Sequence, residues 1–277
     1  MTVQDVAAAY DAVAPLYDSQ VQADAAVRQV LWRHYSRLFR TGMRVLDVSC
    51  GTGIDAVFLA QRGIQVVAID ISAGMVAELR RKVQTAGVAA CVQPHVMDLA
   101  AIHSWSQESF DGIISAFAGL NTVPDLAPFA QHAARLLRPG GRLVIHMLNR
   151  CSLWDRLHLL ARGRWRAVRA LTQRHERTVA IGGRPVRHYL YTPEEVVQRF
   201  LASHFRLARA YSLGALVPSQ VAHRVPPAIA LLLGRFETGA GRLLLNQGRY
   251  FVLELAKREG GTEIHRHRRG GEPVTPL

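Results

Sequence analysis

The stretch Val45-Leu-Asp-Val-Ser-Cys-Gly-Thr-Gly-Ile-Asp-Ala-Val-Phe-Leu-Ala60 carries the reading of the fold. Arg44–Val48 is a short apolar run bounded by turn residues. It is too short for a helix and predicts a buried parallel strand. Gly51 and Gly53 follow at once, and without Cβ atoms they allow a tight turn and close approach of backbone to a ligand. Ala56, Val57, Leu59 and Ala60 then recur at helical spacing, so the loop opens onto a helix whose first amides face outward. A strand, a glycine turn and a helix N-terminus in that order make a nucleotide-type pocket.

Outward from this stretch, strand and helix alternate. Gly63 ends the first helix, and Gln65–Ile69 predicts a second strand closing on Asp70. Ser72 is placed to cap a helix over Ala73–Ala86, which Gly87 stops. Ala90–Val96 predicts a third strand, ending at Met97-Asp98-Leu99, and Phe110–Phe117 a fourth. A loop Ala118–Asn121 and a helix to Leu137 lead to a turn, Arg138-Pro-Gly-Gly141, and a fifth strand Arg142–Leu148. Five such alternations imply an α/β fold with a doubly wound, mostly parallel sheet.

Residues 1–40 read as two helices covering the site, with a Tyr10-Asp-x-x-Ala14-x-x-Tyr17-Asp pattern. An aromatic stripe of this kind packs a helix onto the core more often than it meets a ligand. Residues 41–150 form the nucleotide-binding core, and 151–192 a basic insert expected to cap it. That insert pairs a helical face of Leu153, Trp154, Leu157, Leu160 and Trp165 with a hairpin around Gly182-Gly183. Residues 193–257 supply a helix capped by Thr192, strands over Phe205–Leu213 and Arg249–Lys257, and an apolar insert, 214–248, with the run Ala228–Leu233. Residues 258–277 have the composition of a disordered tail.

Of 277 residues, 34 are Lys or Arg and 21 Asp or Glu, a net charge of +13. The excess is confined to the second half: residues 1–149 hold twelve basic and twelve acidic residues. Ten arginines stand against Asp155 and Glu176 within 150–187, which fits either a solvated helix face or contact with phosphate or an anionic membrane surface. Cys50, Cys91 and Cys151 lie far apart without a Cys-x-x-Cys, so neither a disulfide framework nor a metal site is expected. With no basic, apolar leader at Met1 and no run of about 18 apolar residues, a reducing, cytoplasmic location is expected.

Ligands of doubly wound sheets bind at the carboxyl ends of the strands. Those ends carry Asp47, Ser49, Gly51, Thr52 and Gly53, then Asp70, Asp98, and the run from Ala116 to Asn121. Asp70, 19 residues beyond Gly51, is placed to accept both hydroxyls of a ribose. Asp98 is placed to accept from the exocyclic amine of an adenine. No lysine follows the glycine loop, and Asp47 and Asp55 flank it. The pocket therefore suits an adenosine bearing a positive or zwitterionic group, not a phosphate chain.

Over about residues 5–150 these motifs resemble, in order, those of the class I S-adenosylmethionine-dependent methyltransferases. The matching segments are Val45–Gly53, Val67–Met75, Met97-Asp98-Leu99, Phe110–Phe117 and Leu137–Leu143. The N-terminal tyrosine pattern is similar to that of the ubiquinone/menaquinone-type subgroup. The family usually has glycine where this chain has Ser49. The resemblance implies a Rossmann-like sheet of seven strands with an antiparallel last strand, and S-adenosylmethionine as cofactor. It implies Asp70 on the ribose, Asp98 and the Leu99 amide on the adenine edge, and Ile71 and Met75 packed on the adenine. Gly51, Thr52, Gly53 and Ala116 would line the methionine part, and Tyr17 would close over its carboxylate.

Methyl transfer from a sulfonium is an in-line displacement that needs alignment first, and a base only where the acceptor must lose a proton. His146 in strand five, and His188, Tyr189 and Tyr191 beyond it, are candidate bases. His146 also fits a buried, satisfied core histidine, and the hairpin aromatics fit ordinary strand packing. The apolar inserts imply a small hydrophobic acceptor such as a quinone, lipid or polyketide-like compound. Other readings of the same pocket are an RNA methyltransferase using the basic half, a cofactor-binding protein without catalysis, and a nicotinamide dehydrogenase. The last is opposed by Asp47, Asp98 and the Arg-Pro-Gly-Gly turn. Acceptor and oligomeric state are not readable.

Overall fold

The computed structural model describes residues 2–105, 110–150, 152–216 and 225–258. Helices α1 (Val3–Val13), α2 (Tyr17–Gln20) and α3 (Ala25–Leu38) precede the sheet. The core then runs β1 (Arg44–Val48), α4 (Ile54–Ala60), β2 (Gln65–Asp70), α5 (Ala73–Thr85), β3 (Val92–Val96), β4 (Phe110–Ser115), α6 (Ala127–Leu136) and β5 (Leu137–Leu148). After it come α7 (Leu153–Ala161), α8 (Trp165–Thr172), the hairpin β6 (Glu176–Ile181) and β7 (Arg184–Tyr189), and α9 (Pro193–Val196). The chain closes with β8 (Phe205–Leu213), α10 (Pro227–Ala240) and β9 (Tyr250–Lys257).

Seven strands form one sheet in the order β3-β2-β1-β4-β5-β9-β8. β1 to β5 are parallel, and β9 is inserted antiparallel between β5 and β8. The α/β, Rossmann-like reading with an antiparallel last strand therefore holds. Period-two alternation divides each strand between two cores. Leu46, Val48, Val67, Ile69, Ile113 and Ile145 face α6. Val45, Val66, Ala68, Ile114 and Val144 face α3, α4 and α5. Between β1 and β4 the strand order reverses, which opens a crevice at their carboxyl ends.

Three expectations need correction or limits. Arg138–Gly141 is not a turn ahead of β5 but a bulge inside it. Pairing jumps from Phe110↔Leu137 to Gly112↔Arg142, with Gly140 at φ +76°. The helix capped by Thr192 leaves α geometry after Val196 and widens into a π turn over Val197–Leu201. The expected tail lies outside the described residues from 259 onward, as does part of the insert 214–248. Among the described residues no helix is long and apolar enough to cross a membrane.

Candidate functional site

A cavity of about 320 Å³ opens at the β1/β4 switch point, within the usual range for small-ligand sites. Of the residues read from sequence, Tyr17, Asp47, Ser49, Gly51, Thr52, Asp70, Ile71, Met75, Asp98, Leu99 and Ala116 line it. Gly53 does not. A Cβ there would sit 2.0 Å from Leu79 Cδ1, so its glycine serves the packing of the loop on α5 rather than ligand approach.

The strand-end acids differ in their surroundings. Asp70 accepts from the Gly51 amide at 2.8 Å and the Ser72 amide at 2.9 Å, which fixes its carboxylate beneath the glycine turn. Burial raises its pKa, and those amides oppose the shift. Asp98 accepts from the Ala100 amide at 2.9 Å and shapes the turn after β3. Asp47 is 1 % exposed, and neither carboxylate oxygen has a hydrogen-bond partner. Burial holds its pKa well above the usual carboxylate range, Asp55 and Asp70 push the same way, and Arg28 opposes them. An orphaned, buried carboxylate inside a cavity is costly unless a ligand group answers it.

Several lining residues were not assigned from sequence. Arg28 on α3 is buried, paired with Asp55, and stacked 3.8 Å over the Phe117 ring. Asp55 also accepts from Trp32 Nε1 at 2.6 Å. Arg28 stands three residues before Leu31 and seven before Tyr35, on the buried face of its helix, and a charge on that apolar face is the signal that marks it. Val3, Val6, Val123, Pro124, Pro128 and Phe129 make an apolar stretch of the lining. Tyr10, Asp125 and His132 also line the cavity; burial, then Arg135 and His103, lower the His132 pKa and favour the neutral ring.

The N-terminal helices lie over this cavity and are latched by aspartates. Asp11 Oδ1 accepts from Ser72 Oγ at 2.6 Å and from the Gly74 amide at 2.7 Å, tying α1 to the start of α5. Asp18 accepts from Thr52 Oγ1 and pairs with Lys82, tying α2 to the glycine loop. In the Tyr-Asp pattern the tyrosines face the cavity and the aspartates hold the lid.

None of the candidate bases lines the cavity. His146 is wholly buried in β5, and its Nδ1 accepts from the Phe117 amide at 3.0 Å, while burial and Arg28 lower its pKa to about 3. Tyr191 donates to the Pro124 carbonyl at 3.0 Å, and His188 is buried under the hairpin without a partner for either ring nitrogen. Tyr189 packs at the edge of the α6 core. The expected cap also differs: no residue of 150–191 or of the described part of 214–248 lines the cavity. The β6–β7 hairpin instead packs on α1 and supports the lid from behind.

Residues 45–141 match the model of a family described as "Methyltransferase domain". Among curated proteins, the demethylmenaquinone methyltransferase of Beutenbergia cavernae is 37 % identical over 147 residues, covering 51 % of this chain and 57 % of that protein. The ubiquinone biosynthesis O-methyltransferase of Xanthomonas oryzae pv. oryzae is 38 % identical over 120 residues, covering 42 % and 47 %. The chain thus spans about half the length of the curated relatives it matches. Among solved structures, the [4+2]-cyclase SpnF aligns with a TM-score of 0.62 at 19 % identity, over 94 % of this chain and 97 % of that one. A putative S-adenosylmethionine-dependent methyltransferase of Listeria monocytogenes aligns at 0.57 and 15 %, over 84 % and 100 %. At these identities the structures show a shared fold.

Proposed function

We propose, from the premise that residues 45–141 form a methyltransferase domain of the class I, S-adenosylmethionine-dependent kind, that the whole chain methylates a small apolar acceptor. The observation that carries this is Asp47, buried and unpartnered in a cavity whose other strand ends present Asp70 and Asp98. A cavity lined by acids and one buried arginine, with no lysine among the described lining residues, suits a zwitterionic adenosine and not a pyrophosphate. When bound, the cofactor supplies a methyl group on a sulfonium.

The chain's own residues then hold and orient. Asp70, fixed by two amides, is placed to receive the ribose hydroxyls. Asp98 and the Leu99 amide would read the adenine edge, with Ile71 and Met75 against the ring. Gly51, Thr52 and Ala116 would border the methionine part. Asp47 would answer its ammonium, and Arg28 with Tyr17 its carboxylate. The lid of α1 and α2 excludes water and keeps donor and acceptor in line, where most of the rate enhancement of such a displacement can arise. The apolar stretch from Val3 and Val6 to Val123 and Phe129 would take the acceptor. The names of the curated relatives support a quinone-type ring. Exposed Trp154, Leu157, Leu160 and Trp165 among the arginines of α7 and α8 support delivery of that acceptor at an anionic membrane surface.

Calorimetric titration with S-adenosylmethionine, S-adenosylhomocysteine and NADH tests the cofactor. Binding of the first two alone is expected, with Asp70→Ala abolishing it; binding of NADH alone refutes the reading. Because a cyclase shares this fold, transfer itself needs the second arm. Radiolabelled methyl should appear on a demethylated quinone, and binding without transfer to any quinone or lipid acceptor counts against catalysis.

A further inference from the structure

A second cavity, also of about 320 Å³, lies away from the cofactor pocket between α3, β8 and α10. Its lining joins Arg33 and Arg37 of α3, Arg209 and Tyr211 of β8, and Arg235 and Thr238 of α10, with Val30 and His34 completing it. Arg33 and Arg37 are one helical turn apart and share a face. Four guanidiniums from three elements therefore meet in one concavity, although like charges brought together repel. Among the described residues none of the four has a carboxylate within ion-pair distance. Glu254 is already engaged, 3.2 Å from His34 Nε2 and 3.5 Å from Arg142, and Glu237 of α10 accepts from Ser212 Oγ and the Ala215 amide.

The inner wall supplies an independent observation. Tyr211 is 1 % exposed, and its hydroxyl has no hydrogen-bond partner. Burial raises the phenol's pKa, so it stays a neutral donor. The unanswered buried hydroxyl shares this cavity with four guanidiniums that have no carboxylate partner among the described residues, one of which, Arg209, donates to the Thr238 carbonyl at 3.4 Å. Solvation alone accounts for exposed arginines, but not for the hydroxyl behind them.

We propose that this cavity binds a phosphate-bearing anion, its oxygens accepting from the paired arginines of α3, from Arg209 and Arg235, and from the Tyr211 hydroxyl. Arginine suits this role because its planar fork matches phosphate geometry in a bidentate way. The arginines of α7 and α8 take no part, so the site is separate from the proposed membrane face. It is also separate from the cofactor pocket, to which α3 contributes Arg28.

The test titrates the full chain, free of vesicles, with inorganic phosphate, inorganic pyrophosphate and a short-chain phosphatidic acid below its micelle concentration. Saturable 1:1 binding of at least one is expected. A preference for the phosphatidic acid assigns the source to a lipid headgroup, and a preference for the inorganic anions to a free phosphate; either supports the site. R33Q/R37Q/R209Q should weaken binding at least about tenfold, and Tyr211→Phe, which keeps the packed ring, roughly threefold to tenfold. Melting temperature checks that the variants fold. Absence of binding, or equal affinity in Tyr211→Phe, overturns the proposal and leaves only a diffuse positive surface.

Discussion

Ser49 holds φ +57°, a left-handed conformation that costs a non-glycine residue about 1–3 kcal/mol, and it does so in the lining of the switch-point cavity. The backbone opposite makes the room. A Cβ on Gly119 would lie 2.3 Å from Ser49 Cβ and 2.9 Å from its Oγ, but only ordinary distance, 3.6 Å, from Ser115 Oγ. Gly119→Ala is therefore expected to destabilise by about 2 kcal/mol or more through overpacking. Ser49→Gly is expected to be neutral or stabilising by up to about 1 kcal/mol. The double variant should recover most of the Gly119→Ala loss, and additive losses in denaturant unfolding would refute the pairing. Sequence showed that Ser49 departs from the glycine usual there, but not that its compensation sits 70 positions on, because that contact exists only once β1 and β4 pair. Beside it, Phe117 and Ala118 also have positive φ, and both their amides donate to His146, to Nδ1 and to the carbonyl. His146 is thus a positioning residue. Its folded pKa of about 3 lies below the unfolded 6.5, so its contribution is full above pH 6.5 and is lost as pH falls from there toward 3. Asp47 and Asp70, with raised values, act in the opposite sense. The wild type should consequently lose more stability between pH 7.5 and 5 than His146→Asn, by up to about 1.4 kcal/mol per pH unit. Equal slopes would show that the ring's neutrality is not required.

At the scale of elements, the parallel core was legible because each strand is a short apolar run punctuated by glycine or a cap, and the structure keeps those bounds to within a few residues. The lid was half legible. Its tyrosines stand out as a stripe, but the pattern assigns no role to Asp11 and Asp18, because their partners, Ser72, Gly74, Thr52 and Lys82, are more than 30 residues away. The basic insert was read as a cap because chain order places it after β5. The hairpin turns instead onto the outer side of α1. If the latches hold the lid, Asp11→Ala and Asp18→Ala should each weaken S-adenosylmethionine binding roughly threefold to tenfold, with a larger loss in the double variant. Limited proteolysis should report faster cleavage within residues 1–24 without a change in the melting of the core. Unchanged affinity together with unchanged proteolysis would mean that α1 and α2 stay closed without their aspartates.

For the molecule as a whole, the charge asymmetry seen in sequence becomes a division of labour in space. The neutral half builds the acid-lined cavity at the switch point, and the excess of basic residues is displayed away from it on α7, α8, β8 and α10. Sequence gave no means of separating these arginines, since composition does not tell a convergent cradle from a spread face. The helices α7 and α8 are the spread kind: Trp154, Leu157, Leu160 and Trp165 are 40 to 57 % exposed, an unusual apolar cluster for a surface, even though Trp154 Nε1 donates to the Ala215 carbonyl. Arg162, Arg164, Arg166 and Arg169 lie among them. Each arginine near an anionic bilayer contributes about 1 kcal/mol, and the attraction falls off within a Debye length. The full chain should float with vesicles rich in phosphatidylglycerol, release as salt is raised, and ignore neutral phosphatidylcholine vesicles. Replacing those four arginines by glutamine should abolish flotation while leaving calorimetric binding of S-adenosylmethionine unchanged, because none of them lines the cofactor cavity. A quadruple variant that still floats would move the membrane contact elsewhere, and the delivery of an apolar acceptor across this face would have to be abandoned with it.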